Sequence, residues 1–206
     1  GKEINEDTPW NDESNSSAYA ISKYLAENEV WRASQEGLNV VIVNPTIIIG
    51  PGNRNRSSGL IFKAAGKGLR WYSSGGMGYV DARDVAKCMI DLMESSFSGE
   101  NFIVSSENML YKDFMEHVYR AVGKAVPDKK AGKLLLGIGW RLHWLQCLLT
   151  GKEPVFTREI ARYALLNLRY SNEKIRKSIQ TAFMPVHQTI ENASKYFLSE
   201  LKREQN

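Results

Sequence analysis

Cysteine is scarce: Cys88 and Cys147 are the only two in 206 residues. They lie far apart, each within an apolar helical pattern. No disulfide framework is available, and both thiols read as packing residues of a protein from a reducing, cytoplasmic setting. Histidine is scarce too. His117, His143 and His187 have no acidic or thiol partner at metal-ligand spacing, so no metal is expected. Nor is there a run of about 20 apolar residues of the kind that spans a bilayer; the most apolar stretch, Leu134 to Leu149, is interrupted by Arg141, His143 and Gln146. No secretory leader and no initiator Met are seen. The chain opens on Gly1 and passes at once into Asn5-Glu6-Asp7-Thr8-Pro9-Trp10-Asn11, which reads as a surface loop from the middle of a protein, so a fragment or a processed product is expected. Without a leader, the Asn-x-Ser/Thr triplets at Asn15, Asn55 and Asn192 carry no argument for glycosylation. Internal repeats and low-complexity tracts are also missing.

What is present suits a chain that buries a core. The composition is 43% hydrophobic, 10% aromatic and 24% charged, which excludes disordered, collagen-like and coiled-coil classes. Lys and Arg number 27 against 23 Asp and Glu, a net charge of +4, and the basic residues are scattered along the chain. That distribution favours solubility over nucleic-acid binding, and no nucleic-acid partner is expected.

The first half alternates helices with strands. A helix is predicted from Ser16 to about Gln35, stopped by Gly37. It carries apolar positions on more than one side, Tyr19, Lys23, Ala26 and Val30 on one stripe and Ala18, Ile21, Leu25 and Asn28 on another, as expected of a helix sandwiched between a sheet and a second helix or subunit. Asn39-Val40-Val41-Ile42-Val43 reads as a strand buried on both faces of a parallel sheet and ending near Asn44, because Pro45 cannot donate to a ladder. Thr46 to Ile49 leads into the turn Gly50-Pro51-Gly52, and a short helix follows from about Leu60 to Gly66. Short extended segments are predicted at Trp71-Tyr72 and Gly78-Tyr79-Val80, a helix from Asp81 or Asp84, a second buried strand at Asn101–Val104, and an amphipathic helix from Tyr111 to Val122. Beyond Pro127 the pattern is almost entirely helical: Leu134–Leu149, Thr157 to about Leu168, Ser171 to about Ile179, and Thr189 to Lys202. The 134–149 helix reads as part of a substrate-binding lobe or an interface. A monotopic membrane contact through Lys133, Trp140, Arg141 and Trp144 is the lesser reading.

This pattern predicts an α/β fold, the C-terminal part of a doubly wound parallel sheet with a mostly helical lobe. Such a sheet has about six strands, whereas this chain supplies two convincing ones and one or two weak ones. The remainder of the sheet is expected from another segment or a partner subunit.

The chemistry concentrates in Tyr19-Ala20-Ile21-Ser22-Lys23. Tyr and Lys at i and i+4 share a helix face, and a nearby ammonium favours a phenolate, so such a pair can act as a general acid. The pairing is also common on solvated helices; its context gives it weight. The helix is followed by a strand ending at Asn44-Pro45, and ligands of open α/β sheets bind beyond the carboxyl ends of strands.

Four elements in order, Tyr19-x-x-x-Lys23, Asn44-Pro45-Thr46 with Gly50-Pro51-Gly52, Tyr79-Val80-Asp81-Ala82-Arg83-Asp84-Val85-Ala86, and Gly99-Glu100-Asn101-Phe102-Ile103-Val104, resemble the extended short-chain dehydrogenase/reductases, the NAD-dependent epimerase/dehydratase superfamily. Gly151-Lys152-Glu153-Pro154 with Thr157-Arg158-Glu159 resembles its dihydroflavonol-reductase-like branch. The resemblance implies a Rossmann-type domain from residues 1–50 and 77–104 and a substrate-binding lobe from 51–76 and 105–206. It implies hydride transfer between NAD or NADP and a small carbonyl or secondary alcohol, a sugar nucleotide being the competing substrate class. Tyr19 would be the general acid or base, and Lys23 would stabilise its phenolate and bind the nicotinamide ribose. Pro45, Thr46, Ile47 and Ile48 would line the nicotinamide. The 53–58 loop would border the phosphate or the substrate mouth, and Arg83 and Asp84 would order the loop and helix start. A homodimer through the Tyr19 helix is also implied. The sequence departs from the family in two respects. The Gly-rich turn that cradles the pyrophosphate is missing, since Gly75-Gly76-Met77-Gly78 leads into an extended segment. The upstream catalytic Ser or Thr is missing as well. The chain is therefore expected to be a C-terminal portion, inactive on its own.

Overall fold

Consecutive residues of a strand point to opposite faces, and Tyr79 and Val80 thereby serve two separate cores. The structure, a computed structural model, describes residues 2–10, 17–52, 58–151 and 154–203. In chain order these form β1 (Lys2–Ile4), α1 (Ala18–Gln35), β2 (Val41–Pro45), β3 (Ile47–Ile49), α2 (Gly59–Gly66), β4 (Trp71–Ser73), β5 (Gly76–Asp81), α3 (Ala82–Met93) and β6 (Glu100–Val104). There follow β7 (Glu107–Leu110), α4 (Tyr111–Ala121), β8 (Lys129–Ala131), α5 (Lys133–Thr150), α6 (Arg158–Tyr163), β9 (Leu168–Tyr170), α7 (Glu173–Ile179) and α8 (Val186–Arg203).

Pairing is mostly parallel, and the architecture is α/β as the alternation predicts. β2 lies beside β6, with Pro45 opposite Val104. β3 lies beside β5, with Ile47 opposite Tyr79, and β5 pairs antiparallel with β7 on its other side. On one face of β5, Tyr79 joins Ile49, Phe62, Phe114, Val118, Val186, Ile190 and Phe197, so that α2, α4 and α8 cover it. On the other face, Val80 joins Val85, Cys88, Leu92, Phe102, Val104 and Ile175, which brings in α3, α7 and β6. The apolar positions of α3 recur at i, i+3 and i+7, and they form its buried stripe.

Several elements differ from the sequence expectation. The region beyond Pro127 contains two strands, β8 and β9, and two more appear at Lys2–Ile4 and Glu107–Leu110. Each has only three or four residues, and each is held by a distant partner: β8 by β4, β9 by β1. Local pattern cannot register such pairing. The helix expected to run to Leu168 ends at Tyr163, because the carbonyls of Ala164 and Leu166 accept from the N–H groups of Gly75 and Gly76, at 3.0 and 2.9 Å. β2 is only half-buried, since one of its edges has no strand partner among the described residues. α1 has no buried residue at all. In α5 only Cys147 is buried, and every leucine but the half-buried Leu136 is exposed.

The Tyr79 hydroxyl is buried with no hydrogen-bond partner among the described residues, while its ring stacks on Phe114 at 4.1 Å. Burial pushes this phenol far above its usual range. Tyr79→Phe is therefore expected to raise stability by about 1 kcal/mol. Tyr79→Ala is expected to cost about 3–5 kcal/mol by opening the core. Urea unfolding midpoints of the two variants check both signs.

Candidate active site

α1 begins at a well-formed cap. Ser17 is extended, and its hydroxyl accepts from the Ala20 N–H at 3.1 Å. Tyr19 and Lys23 follow on the first two turns. The Tyr19 side chain is 74% exposed, and Lys23 is exposed beside it on the same face. Ser22 donates to the Tyr19 carbonyl at 2.7 Å, which ties a hydroxyl into the turn that carries the phenol. Among the described residues neither the phenol nor the ammonium is engaged elsewhere, so both heads are open to a ligand.

The second element is the point where one strand splits between two sheets. β2 runs with β6 as far as Pro45, the Thr46 N–H donates to the Val104 carbonyl at 3.0 Å, and β3 then leaves to pair with β5. The Thr46 hydroxyl lies 3.3 Å from Ser105 Oγ. This packing requires glycine at 78: a Cβ there would stand 2.6 Å from Ser105 Oγ and 2.7 Å from Thr46 Cγ2. Pro45 and Ile48 are exposed and Thr46 is half-buried, whereas Ile47 packs on the α2/α4/α8 core. The expected nicotinamide-lining residues thus divide. Pro45, Thr46 and Ile48 offer side chains at the carboxyl end of the strand, and Ile47 packs inward from its place in the β3–β5 ladder.

Asp81 closes β5 and caps α3. Its carboxylate is 2% exposed and accepts from the Arg83 N–H at 2.8 Å and from the guanidinium at 2.9 and 2.7 Å. Burial works against its ionisation, but the Arg83 contacts outweigh it and hold the carboxyl below the usual range. Asp84 accepts from the Met184 N–H at 2.7 Å. Both residues order the start of α3.

A cavity of about 730 Å³ opens at the same strand end, lined by Asn44, Pro45 and Thr46 together with Trp10, Tyr24 and Trp31. Trp10 stacks on Tyr24 at 4.8 Å. Glu6, also in the wall, accepts from the Ile103 N–H at 2.8 Å and so covers the outer edge of β6. Sequence reasoning missed these aromatics, although Tyr24 and Trp31 stand seven apart on α1 and signal a shared face. The cavity touches a different face of α1 from the one bearing Tyr19 and Lys23, and neither of those residues nor Ile47 or Ile48 lines it. The expected border loop at 53–57 lies outside the described residues, as do Lys152 and Glu153. Among the described residues no three His, Cys, Asp or Glu side chains are grouped to hold a metal ion, and no helix is long and apolar enough to cross a membrane.

The sequence model of the NAD dependent epimerase/dehydratase family matches residues 1–105, the span that holds α1, the split strand and β5. The chain belongs to that family. Among its relatives within the reductases, a putative dihydroflavonol 4-reductase of Synechocystis is 24% identical over 187 residues, covering 87% of this chain and 54% of the relative. Tetraketide alpha-pyrone reductase 2 of Arabidopsis thaliana is 33% identical over 102 residues, 48% of this chain and 32% of the relative. The chain thus spans about half or less of the length of these relatives. The crystal structure of gox2253 superposes with a TM-score of 0.78 at 27% identity, covering 97% of this chain and 62% of that one. Yeast methylglyoxal/isovaleraldehyde reductase Gre2, solved with NADPH, gives 0.65 at 21% identity, covering 98% and 58%. The fold of the family member described here is accordingly Rossmann-type α/β.

The Asp81 arrangement generates a stability prediction for this family member. Its folded-state pKa lies below the unfolded value of about 3.9, so its contribution is present above that value and is lost as pH falls through the folded pKa. Arg83→Met is expected to cost about 1–3 kcal/mol at pH 7, with the gap to wild type narrowing below about pH 4. Thermal unfolding between pH 3 and 7 reads this out; a gap independent of pH would contradict it.

Proposed function

We propose that this chain is the C-terminal portion of an NAD(P)-dependent oxidoreductase or epimerase that moves hydride between nicotinamide and a small carbonyl or secondary alcohol. Residues 1–50 and 77–104 belong to the Rossmann-type domain, and 51–76 with 105–206 form the substrate-binding lobe. The observation that carries the reading is Tyr19 and Lys23 on one exposed face of α1 in a chain of this family. The strand end fits the nicotinamide half of the cofactor, because Pro45 and Ile48 give exposed apolar surface beside the Thr46 hydroxyl. The Thr46 N–H is bonded to the Val104 carbonyl, so it is the Thr46 hydroxyl that would face the cofactor.

The nicotinamide, when bound, supplies or accepts the hydride. The remaining work falls to the chain. The Tyr19 hydroxyl protonates the substrate oxygen in reduction and takes the proton back in oxidation. Lys23 stabilises the phenolate left behind and binds the ribose. The edge of β2 that has no strand partner among the described residues supports a catalytic unit completed by further polypeptide, with the 206-residue chain inactive alone. Both NAD and NADP are compatible with the residues present. The reductase names among the relatives favour a carbonyl substrate over a sugar nucleotide.

In the full-length protein, Tyr19→Phe is expected to lower turnover by about 10²–10⁴-fold while leaving cofactor affinity within about twofold, since the lost hydroxyl acts on substrate. Wild-type turnover by Tyr19→Phe would overturn the assignment. Assays with NADH and NADPH against apolar ketones and nucleotide sugars assign cofactor and substrate class.

A second reading concerns assembly. α1 leaves Leu25 and Val30 exposed and has no fully buried residue, which suits a helix that packs against its copy in a homodimer. Light scattering is expected to give a dimer that Leu25→Glu dissociates.

A further inference from the structure

Helix α5 turns most of its leucines away from the lobe that seats it. Its inward side mixes small and polar groups with the half-buried Leu136 and Trp140. Cys147 is buried, the half-buried His143 accepts the Val155 N–H at 3.2 Å, and Gly139 lies against the Phe156 ring. These positions recur at i, i+4 and i+8. The outward side carries Leu134, Ile138, Leu142, Leu145 and Leu149, at i, i+4, i+8, i+11 and i+15, a single helical stripe flanked by Leu135 and Leu148. Leu134 and Leu149, at its two ends, are each 79% exposed, and Trp144 is 52% exposed beside it. Soluble proteins rarely leave so large a continuous apolar surface uncovered.

The charges around this stripe select its occupant. From residue 129 to 151 the sequence has Lys129, Lys130, Lys133 and Arg141 and no Asp or Glu. A groove of about 600 Å³ between α5 and α6 adds Arg158 and Arg162 to Arg141, with Leu134, Ile138 and Trp140 in its walls and no acidic residue. Arg141 lies over the Trp140 ring at 4.6 Å and donates to the Gly137 carbonyl at 2.7 Å, so its stem adds to the apolar face. A second copy of the chain suits this surface poorly. Position 141 is at the middle of α5, and a two-fold contact, parallel or antiparallel, sets it against its own counterpart with no carboxylate on either helix. An anionic bilayer satisfies both features, taking the leucines at the acyl boundary and the cations at its headgroups.

We infer that α5 is a monotopic membrane-surface helix that docks this protein on anionic lipid. The stripe enters the interface in the plane of the bilayer, and Trp144 lies at headgroup depth. This docking is independent of the hydride-transfer reading, and its test uses no activity measurement.

The purified protein is sedimented with phosphatidylcholine vesicles with and without phosphatidylserine. Binding is expected to the mixed vesicles and to weaken as salt is raised. Leu142→Asp and Leu145→Asp are each expected to lower partitioning by at least about tenfold with an unchanged circular dichroism spectrum. Lys133→Gln with Arg141→Gln leaves the apolar stripe intact and is expected to cost about fivefold per charge on the mixed vesicles. That pair keeps the test decisive if an aspartate variant fails to fold. No binding to either vesicle overturns the inference, as does equal binding to phosphatidylcholine alone. A dimer in light scattering that Leu145→Asp dissociates, without vesicle binding, overturns it in favour of a second copy.

Discussion

The interaction on which the rest depends is the burial of both faces of β5. Tyr79 and Val80 are each fully buried, and they feed cores that otherwise share little. The strand can run between β3 and β7 only because its glycines lack side chains. A Cβ at Gly76 would meet the Met109 carbonyl at 2.9 Å, and one at Gly78 would meet Thr46 and Ser105. Asp81 then ends the strand by capping α3, so the same six residues set the sheet, both layers of helices and the position of Thr46. Gly75-Gly76-Met77-Gly78 resembles a phosphate-binding turn in composition, and its glycines answer a packing requirement of the strand.

The order of α1, β2, α3, β6 and α4 was legible in the sequence because each of these elements has a strong local signature. The stripe Val85, Cys88 and Leu92 and the cap at Asp81 lie within a few residues of one another, as do Phe114 and Val118 of α4. The strands β1, β7, β8 and β9 were illegible for the opposite reason. Lys129-Lys130-Ala131 has no strand propensity, and its ladder to Trp71-Tyr72-Ser73 reaches across more than fifty positions. The shortened α6 follows the same logic, since its carbonyls are claimed by Gly75 and Gly76 from another part of the chain. In the candidate site, the shared helix face of Tyr19 and Lys23 was legible from their spacing, and the strand end at Asn44-Pro45 from its proline. The aromatic wall of Trp10, Tyr24 and Trp31 was not, because it forms only when the segment before α1 folds back on it.

The strand run expected to be buried on both faces and found half-buried belongs to the same account. Val41, Ile42 and Val43 have the β-branched character of a central strand. Such a strand needs neighbours on two edges, and β6 supplies one. Helix α1 likewise has no fully buried residue. The partial burial of β2 and α1 among the described residues fits a chain that spans about half of the relatives it matches.

That explanation does not extend to α5. In α5 the seated side carries Gly139, His143 and Cys147 beside the half-buried Leu136 and Trp140, and the hydrogen bond from Val155 to His143 fixes it in that orientation. Turning the helix to bury its leucines would break that bond and expose a sulfur now buried. The outward stripe is thus an orientation the fold holds in place by specific contacts. The absence of carboxylates across 129–151 sits on the same helix and the strand before it. Geometry and charge coincide where an interface with an anionic, apolar surface needs both.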